Sequence, residues 1–194
     1  GVDMPFETIR NDYDAVLLGI GAWVSTGVGC KGEDAEGVIG GIDFLRKVVR
    51  NEEIKLGEKV AIVGGGNTAM DACRTAVRLG AKEVYNIYRR TKDEMPADMV
   101  EIEEAEEEGV IFKNLTNPIE VVADENGHVK EVVLQVMELG EPDASGRRSP
   151  RPVEGKTETL AIDTMILAIG QAVDASIVDC DKTRKNAIAY DKDT

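Results

Sequence analysis

Three consecutive glycines open the stretch of this sequence best suited to chemistry, because glycine lets a main chain approach a ligand closely. We interpret the stretch as an anion-binding loop, in which backbone N–H groups at the start of a helix donate to a pyrophosphate. The third position of the dinucleotide-binding pattern holds Ala69, a permitted alternative to glycine. The predicted loop residues are Gly64, Gly65, Gly66, Asn67 and Thr68.

Two arginines follow at the position that distinguishes an NADP site from an NAD site. An NAD site usually places Asp or Glu there. Glu83 has a suitable spacing but starts the second strand, roughly 16 Å from the loop end at about 3.3 Å per residue. Arg89 and Arg90 lie at the loop end, where guanidinium groups can bind a phosphate bidentately. The residues therefore predict NADP(H), with a solvated basic turn as the alternative.

A strand, a helix and a second strand must position these residues. The apolar run of residues 60–63 is too short for a helix and suits a parallel strand that is buried on both faces. A helical pattern then begins at Asn67 and stops at Gly80, and a second run that is mostly apolar, residues 84–88, leads to the arginines. This order is half of a mononucleotide-binding unit and predicts an α/β, Rossmann-like domain with a parallel sheet.

Two apolar segments with similar patterns flank this unit. Residues 14–22 and residues 163–171 each begin with an aspartate and end in a glycine turn, and we expect a buried strand in both. Residues 27–41 are glycine-rich and are expected to be loop, and residues 42–49 are expected to be a helix. The predicted inner face of that helix consists of Leu45, Val48 and Val49.

A second helix and an antiparallel meander are predicted after the arginines. The helix runs from Pro96, at its first position, to Glu108, and the residues expected to face inward are Met99, Ile102 and Ala105. Its glutamate-rich outer face is interpreted as solvated surface. Residues 110–112 are expected to add a parallel strand.

The meander follows from alternating apolar residues around a turn at Asn126-Gly127. Its strands are predicted at residues 119–122, 129–137 and 157–162, with a polar, proline-containing loop at residues 141–152. We expect this meander to cover the parallel sheet.

Composition narrows the function classes. The formal net charge of −14 argues against nucleic acid and anionic membranes as partners. A polyanionic ligand then needs local cations, and five lie in or just after the Rossmann unit: Arg74, Arg78, Arg89, Arg90 and Lys92. Cys30, Cys73 and Cys180 form no disulfide or metal pattern, and His128 follows a turn, so no metal site is predicted. Without a signal peptide or membrane span, the expected compartment is the cytoplasm.

Several motifs together resemble the glutamate synthase small (β) subunit family of FAD/NAD(P)-dependent oxidoreductases. They are GGGNTAMDACRTAVRLGAKEV, YRRTKDEMPAD and EEAEEEGV, flanked by YDAVLLGIGAW, KGEDAEGV, DFLRKV and MILAIGQ. The resemblance covers nearly the whole chain and is far more specific than the glycine loop alone. The KGED segment lacks the proline that the family often has before its GE.

The resemblance implies an NADP(H)-binding domain that is inserted into the FAD domain of a two-dinucleotide flavoprotein. NADPH would reduce FAD, and electrons would pass through iron–sulfur clusters to a partner such as the glutamate synthase large subunit. The resemblance assigns the glycine loop to the pyrophosphate and Arg89 and Arg90 to the 2′-phosphate. It also places Gly21 and Gly170 at the crossovers between the domains.

The implied boundaries are residues 1–22 for the first crossover, 23–171 for the NADP(H)-binding domain and 172–194 for the return to the FAD domain. Neither a second glycine fingerprint for FAD nor a set of cluster-binding cysteines is present. We therefore expect an excised domain that binds NADP(H), has no catalytic residue of its own and relies on the FAD domain of the same parent chain.

Three other functions remain as alternatives. Tyr88 and Lys92 match the Tyr-x-x-x-Lys of short-chain dehydrogenases, but that pair must share a helix face, and Tyr88 is predicted to end a strand. A non-catalytic NADP(H)-sensing or interaction module would have no use for the two flanking glycine-ended strands. A methyltransferase would need an acidic residue where Arg89 stands.

Overall fold

Residues 3–142, 144, 146, 148–178, 181, 183, 188 and 189 are described by the computed structural model. The chain divides into two compact units. The larger consists of Ser25–Gly170, and the smaller combines Gly1–Val24 with Gln171–Thr194.

A five-stranded parallel sheet forms the centre of the larger unit. Its strands, numbered in chain order, lie side by side as β2 (Val38–Gly40), β9 (Thr164–Leu167), β3 (Lys59–Val63), β4 (Glu83–Tyr88) and β5 (Ile111–Asn114). Every neighbouring pair is parallel. The predicted strand, glycine loop, helix and strand are confirmed, and so is the third parallel strand after the second helix.

Three helices cover one face of this sheet. They are α2 (Gly41–Val49), α3 (Asn67–Arg78) and α4 (Met99–Glu107). Val60 and Ile62 of β3 pack with buried residues of these helices, because alternate residues of a strand point to opposite faces. Burial on both faces explains why β3 is apolar throughout its second to fifth residues.

An antiparallel sheet covers the other face. It consists of β6 (Thr116–Ala123), β7 (Val129–Pro142) and β8 (Arg148–Ala161), in that order. Val132 and Leu134 of β7 share a buried cluster with Ala61 and Val63 of β3. The predicted meander and its position over the parallel sheet are confirmed.

The prediction of a polar loop at residues 141–152 is wrong for most of that range. β7 and β8 continue pairing there, with Leu139 opposite Pro150 and Met137 opposite Pro152. β8 is an edge strand of its sheet, where a proline's missing N–H need not remove a ladder hydrogen bond. Pairing with β7 therefore overrides the turn signals of the local sequence.

The smaller unit contains α1 (Phe6–Asp12), which the sequence analysis missed, and β10 (Gln171–Ala172). The short strand β1 is Val24–Ser25. The buried strand expected at residues 14–22 is wrong, since no strand forms there and Leu17 is 97% exposed. A strand requires a neighbour for its N–H and C=O groups, and the described residues supply none to this segment.

Smaller differences concern helix faces and ends. Val49 and Met99 are exposed, whereas Phe44 is fully buried on α2. α4 begins at Met99 and not at Pro96, and β2 lies within the expected loop of residues 27–41. Cys180 lies outside the described residues. Within the described part of the chain, no helix is both long and apolar enough to span a bilayer.

Candidate functional site

The centre of the parallel sheet contains a topological switch point. The chain passes from β3 to β4 and β5 on one side, whereas β9 lies on the other side of β3. Open α/β sheets bind ligands beyond the carboxyl ends of their strands at such a point. The glycine loop, residues 64–66, follows β3 at this edge, and Ala168 to Gly170 follow β9. The structure therefore brings two segments predicted to matter for the site to one edge of the sheet.

Close approach of these two loops requires glycine at the first loop position. A Cβ added to Gly64 would lie 2.3 Å from the carbonyl oxygen of Ala168, and Gly64 has φ +148°. At the second position, a Cβ on Gly65 would lie 2.5 Å from the ring of Tyr88. A Cβ on Gly66 would meet only Pro96, at 3.9 Å. The first two glycines are thus fixed by packing within the protein, and the third faces more open space.

Three successive carbonyl groups of the loop accept hydrogen bonds from the protein. Gly64 O accepts from Asn86 Nδ2 at 2.9 Å, and Gly65 O accepts from the Ala97 amide at 3.0 Å. Gly66 O accepts from the amides of Ala69 and Met70 in the first turn of α3. Every carbonyl of the glycine run is therefore held in a defined direction.

The neighbouring amides have no such partners. The N–H groups of Gly65, Gly66, Asn67 and Thr68 donate to no acceptor among the described residues. Unpaired amides at a helix N-terminus carry a partial positive charge. Together they form a donor set that suits an anion such as a phosphate group.

A segment between β4 and α4 supports the loop from one side. The backbone amide of Asp98 donates to Asn67 Oδ1 at 2.9 Å. In return, Asn67 Nδ2 donates to Asp98 Oδ2 at 3.2 Å. The hydroxyl of Tyr88 donates to the carbonyl of Glu94 at 2.8 Å. The side chain of Asn67 is therefore held by Asp98, whereas its backbone amide takes no part in this contact.

The two arginines after β4 differ in their surroundings. Arg89 is exposed, and its guanidinium has no ion pair or hydrogen bond with the described residues. Arg90 is 7% exposed, and its Nε donates to the carbonyl of Arg148 in β8 at 2.7 Å. Arg90 thus connects the loop end to the long β7–β8 hairpin, while the guanidinium of Arg89 is exposed and unpaired within the part of the chain that the structure describes.

Three of the five cations expected near the ligand are neutralised elsewhere. Arg74 contacts Glu101, Glu104 and Glu108 at 2.6–2.8 Å, and Arg78 contacts Glu108. Hydrogen bonds from Arg78 and Arg74 hold the pKa of Glu108 below its ordinary value. The Glu108 carboxylate in turn raises the pKa of Arg74. Part of the glutamate face interpreted as solvated surface is therefore an ionic contact between α3 and α4.

Lys92 is also neutralised, because its Nζ pairs with Glu106 and lies over the ring of Phe112. Tyr88 ends β4 and donates to a carbonyl, so the Tyr-x-x-x-Lys spacing does not place the two groups on one helix face. Glu83 lies at the opposite end of β4 from the arginines and pairs with Lys59. The structure thus does not support a dehydrogenase pair of Tyr88 and Lys92, and it places Glu83 away from this edge of the sheet.

The two glycines predicted at the domain crossovers, Gly21 and Gly170, belong to different compact units. Gly170, with φ +149°, follows β9, and its carbonyl accepts from the Thr26 amide at 3.1 Å. Gly21 lies in the smaller unit with φ +68°. Cys73 is fully buried on α3, and burial raises the pKa of its thiol to about 12.

Sequence reasoning missed the residues that support the loop from below and beside. Asn86 is fully buried in β4 and contacts Gly64, while Asp98 and Ala97 hold Asn67 and Gly65. One signal was available, because Asn86 is the only amide in an otherwise apolar or aromatic stretch, Val84 to Tyr88. The Asp98 contact links residues 31 positions apart and has no local signature.

Comparison with known proteins adds independent evidence. Residues 7–194 match the family described as pyridine nucleotide-disulphide oxidoreductase. NADPH-Fe(3+) oxidoreductase subunit beta of Geobacter sulfurreducens is 47% identical over 92% of this chain and 27% of its own length. Glutamate synthase (NADPH) small chain of Escherichia coli is 39% identical over 88% of this chain and 38% of its own length. The expected resemblance is confirmed, and the chain spans less than half of either relative.

A solved structure shares the fold. FprA of Mycobacterium tuberculosis, in complex with NADPH, superposes with a TM-score of 0.74 at 19% identity. The match covers 91% of this chain and 54% of FprA. The α/β class with a parallel sheet and an antiparallel addition is thereby confirmed.

Proposed function

Since the chain belongs to the pyridine nucleotide-disulphide oxidoreductase family, we propose that it is the NADP(H)-binding domain of a flavin oxidoreductase similar to the glutamate synthase small subunit. Its task in the parent protein is to hold NADPH so that hydride is delivered to FAD. The identity to two relatives whose names include NADPH supports this choice of cofactor.

The proposal rests on two features found together: backbone amides without acceptors and one guanidinium group without a partner, both among the described residues. The amides at the start of α3 suit a pyrophosphate, and Arg89 follows the adjacent strand, where a 2′-phosphate distinguishes NADP from NAD. In the proposed site Gly64, Gly65, Gly66, Asn67 and Thr68 bind the pyrophosphate through the backbone. Arg90 supports the loop end, and Arg89 binds the 2′-phosphate.

The chain's own contribution is orientation. Bound NADPH supplies the hydride, and transfer requires donor and acceptor atoms to be held about 3–3.5 Å apart. The glycine loop fixes the cofactor's middle, Arg89 fixes its adenosine end, and Gly170 lies at the same edge of the sheet after β9.

The proposed partners follow from the relatives. Two of them are named as a beta subunit and a small chain. We propose that residues 23–171 act with an FAD domain of the same parent chain, reached through residues 1–22 and 172–194, and that an iron–sulfur or large subunit receives the electrons.

A pair of titrations tests the cofactor assignment. Replacing Arg89 with alanine should weaken NADPH binding by about ten- to a hundredfold, because a charge-assisted contact to phosphate is lost. Binding of NADH should stay unchanged, since it has no 2′-phosphate. Cofactor fluorescence titration of the 194-residue chain measures both affinities.

The matched control is Arg78→Ala, which removes one positive charge from the same unit but pairs with Glu108 away from the glycine loop. NADPH affinity should be unchanged in that variant. Equal affinities of the unsubstituted chain for NADPH and NADH would overturn the role of Arg89.

A further inference from the structure

Asn86 is a fully buried amide directly beneath the glycine loop. It lies on the helix-facing side of β4, between Val84 and Tyr88, which pack in the same cluster as α3. Its Nδ2 donates to Gly64 O at 2.9 Å and lies 3.8 Å from Cys73 Sγ. Because a carbonyl oxygen only accepts, the nitrogen of the Asn86 amide must face Gly64.

The contact sets the direction of the next amide. In a planar trans peptide the C=O and the following N–H point in opposite directions, and the described residues contain no cis peptide bond. With Gly64 O turned inward to Asn86, the N–H of Gly65 points outward, away from the core. That N–H is the first of the amides that lack an acceptor among the described residues.

Packing alone does not explain an asparagine at this position. The Oδ1 atom of Asn86 is buried and has no hydrogen-bond partner within the described part of the chain. A buried polar atom without a partner lowers stability, and such exceptions call for another explanation. The fully buried Val60 and Ile62 on the same face of β3 show that this layer accepts aliphatic side chains.

We propose that Asn86 is a positioning residue that directs the Gly65 N–H toward the pyrophosphate of the bound dinucleotide. The inference rests on the proposed function, and it adds a residue outside the glycine loop and the arginines. Asn86 touches no cofactor itself. It acts through the peptide plane between Gly64 and Gly65, which it holds from below.

Measuring the affinity for two ligands distinguishes a loss of loop positioning from general damage to the structure. NADPH has a pyrophosphate, whereas adenosine 2′-monophosphate has the 2′-phosphate and no pyrophosphate. In Asn86→Leu, which keeps the shape but removes the donor, NADPH should bind about five- to tenfold more weakly. Affinity for adenosine 2′-monophosphate should stay unchanged. Asn86→Ala, measured in parallel, should show the same split and serves if the leucine variant does not fold.

Cys73→Ala is the matched control, because it alters the other neighbour of the Asn86 amide and leaves the Gly64 contact in place. Both affinities should be unchanged in this variant. Unaltered NADPH binding in the Asn86 variants, or equal weakening of both ligands, would overturn the inference. Failure of the unsubstituted chain to bind NADPH would overturn the proposed function and the inference with it, so the two failures are distinguishable.

Discussion

The two ends of α3 differ in whether their positively charged groups have partners. At its start, four backbone amides and the nearby Arg89 have no partner among the described residues. Farther along the helix, Arg74 and Arg78 are bound to glutamates on and just after α4. A charge that is already neutralised stabilises packing, whereas one left open is available to a ligand. The comparison separates the arginines of one Rossmann unit into a structural group, Arg74 and Arg78, and a proposed binding group that contains Arg89.

The largest expected effect on cofactor binding concerns the glycine loop at the start of α3. Gly65→Ala should weaken NADPH binding by about a hundredfold or more, because the new Cβ would lie 2.5 Å from the Tyr88 ring and the loop would have to move. Overpacking should also lower the free energy of unfolding by about 1–3 kcal/mol. Cofactor titration and urea denaturation measure the two quantities.

Gly66→Ala is the control for Gly65, since its Cβ would meet only Pro96 at 3.9 Å and the residue has an ordinary negative φ of −98°. The free energy of unfolding should change little. Equal losses of stability in the two variants would show that the Tyr88 contact does not constrain the loop.

A substitution among the paired arginines of α3 should instead lower stability and leave cofactor affinity unchanged. Arg74→Met keeps most of the apolar stem but leaves Glu101, Glu104 and Glu108 close together without their shared cation. The melting temperature should fall by a few degrees, while NADPH affinity stays unchanged. Thermal denaturation and cofactor titration test this split. A clear loss of NADPH affinity at unchanged stability would place Arg74 in the binding group and break the comparison.

A smaller effect should appear in the pH dependence of stability. Arg78 and Arg74 lower the pKa of Glu108 in the folded chain from its ordinary 4.5. A depressed pKa means that the stabilisation is present above the unfolded pKa and is lost as pH falls through the folded one. The stability difference between the unsubstituted chain and Glu108→Gln should therefore be largest near neutral pH and shrink below about pH 4.

Melting temperatures measured from about pH 7 to pH 3 provide the check. A difference that stays constant across this range would mean that ionised Glu108 contributes nothing through the two arginines. NADPH affinity at neutral pH should be the same in both proteins.

Local patterns predicted the elements whose signals lie within the element itself. The apolar run of β3, the glycines after it and the helical spacing of α3 are all contiguous, and so is the turn at Asn126-Gly127. The sequence therefore predicted the strand, loop, helix and strand that position the candidate site, together with the hairpin.

Non-local contacts explain what the sequence did not show. Residues 14–22 and 163–171 have similar patterns, yet only the second forms a strand, because β2 and β3 flank it. Likewise, Arg74 and Arg89 look alike in the sequence, and only the position of α4 decides which is neutralised. Asn86 was missed because its partner, Gly64, lies 22 positions away in the loop that follows another strand.

The insertion of β9 between β2 and β3 also affects how the chain can fold as it leaves the ribosome. The hydroxyl of Thr164 in β9 donates to the carbonyl of Leu56, 108 positions earlier, and among the described strands β2 is paired only with β9. At about 5–20 residues per second, roughly 5–20 s of synthesis separate the two partners. Throughout that interval one side of β3 lacks its neighbour, so nascent chains that have not reached Thr164 are the ones that chaperones would need to protect.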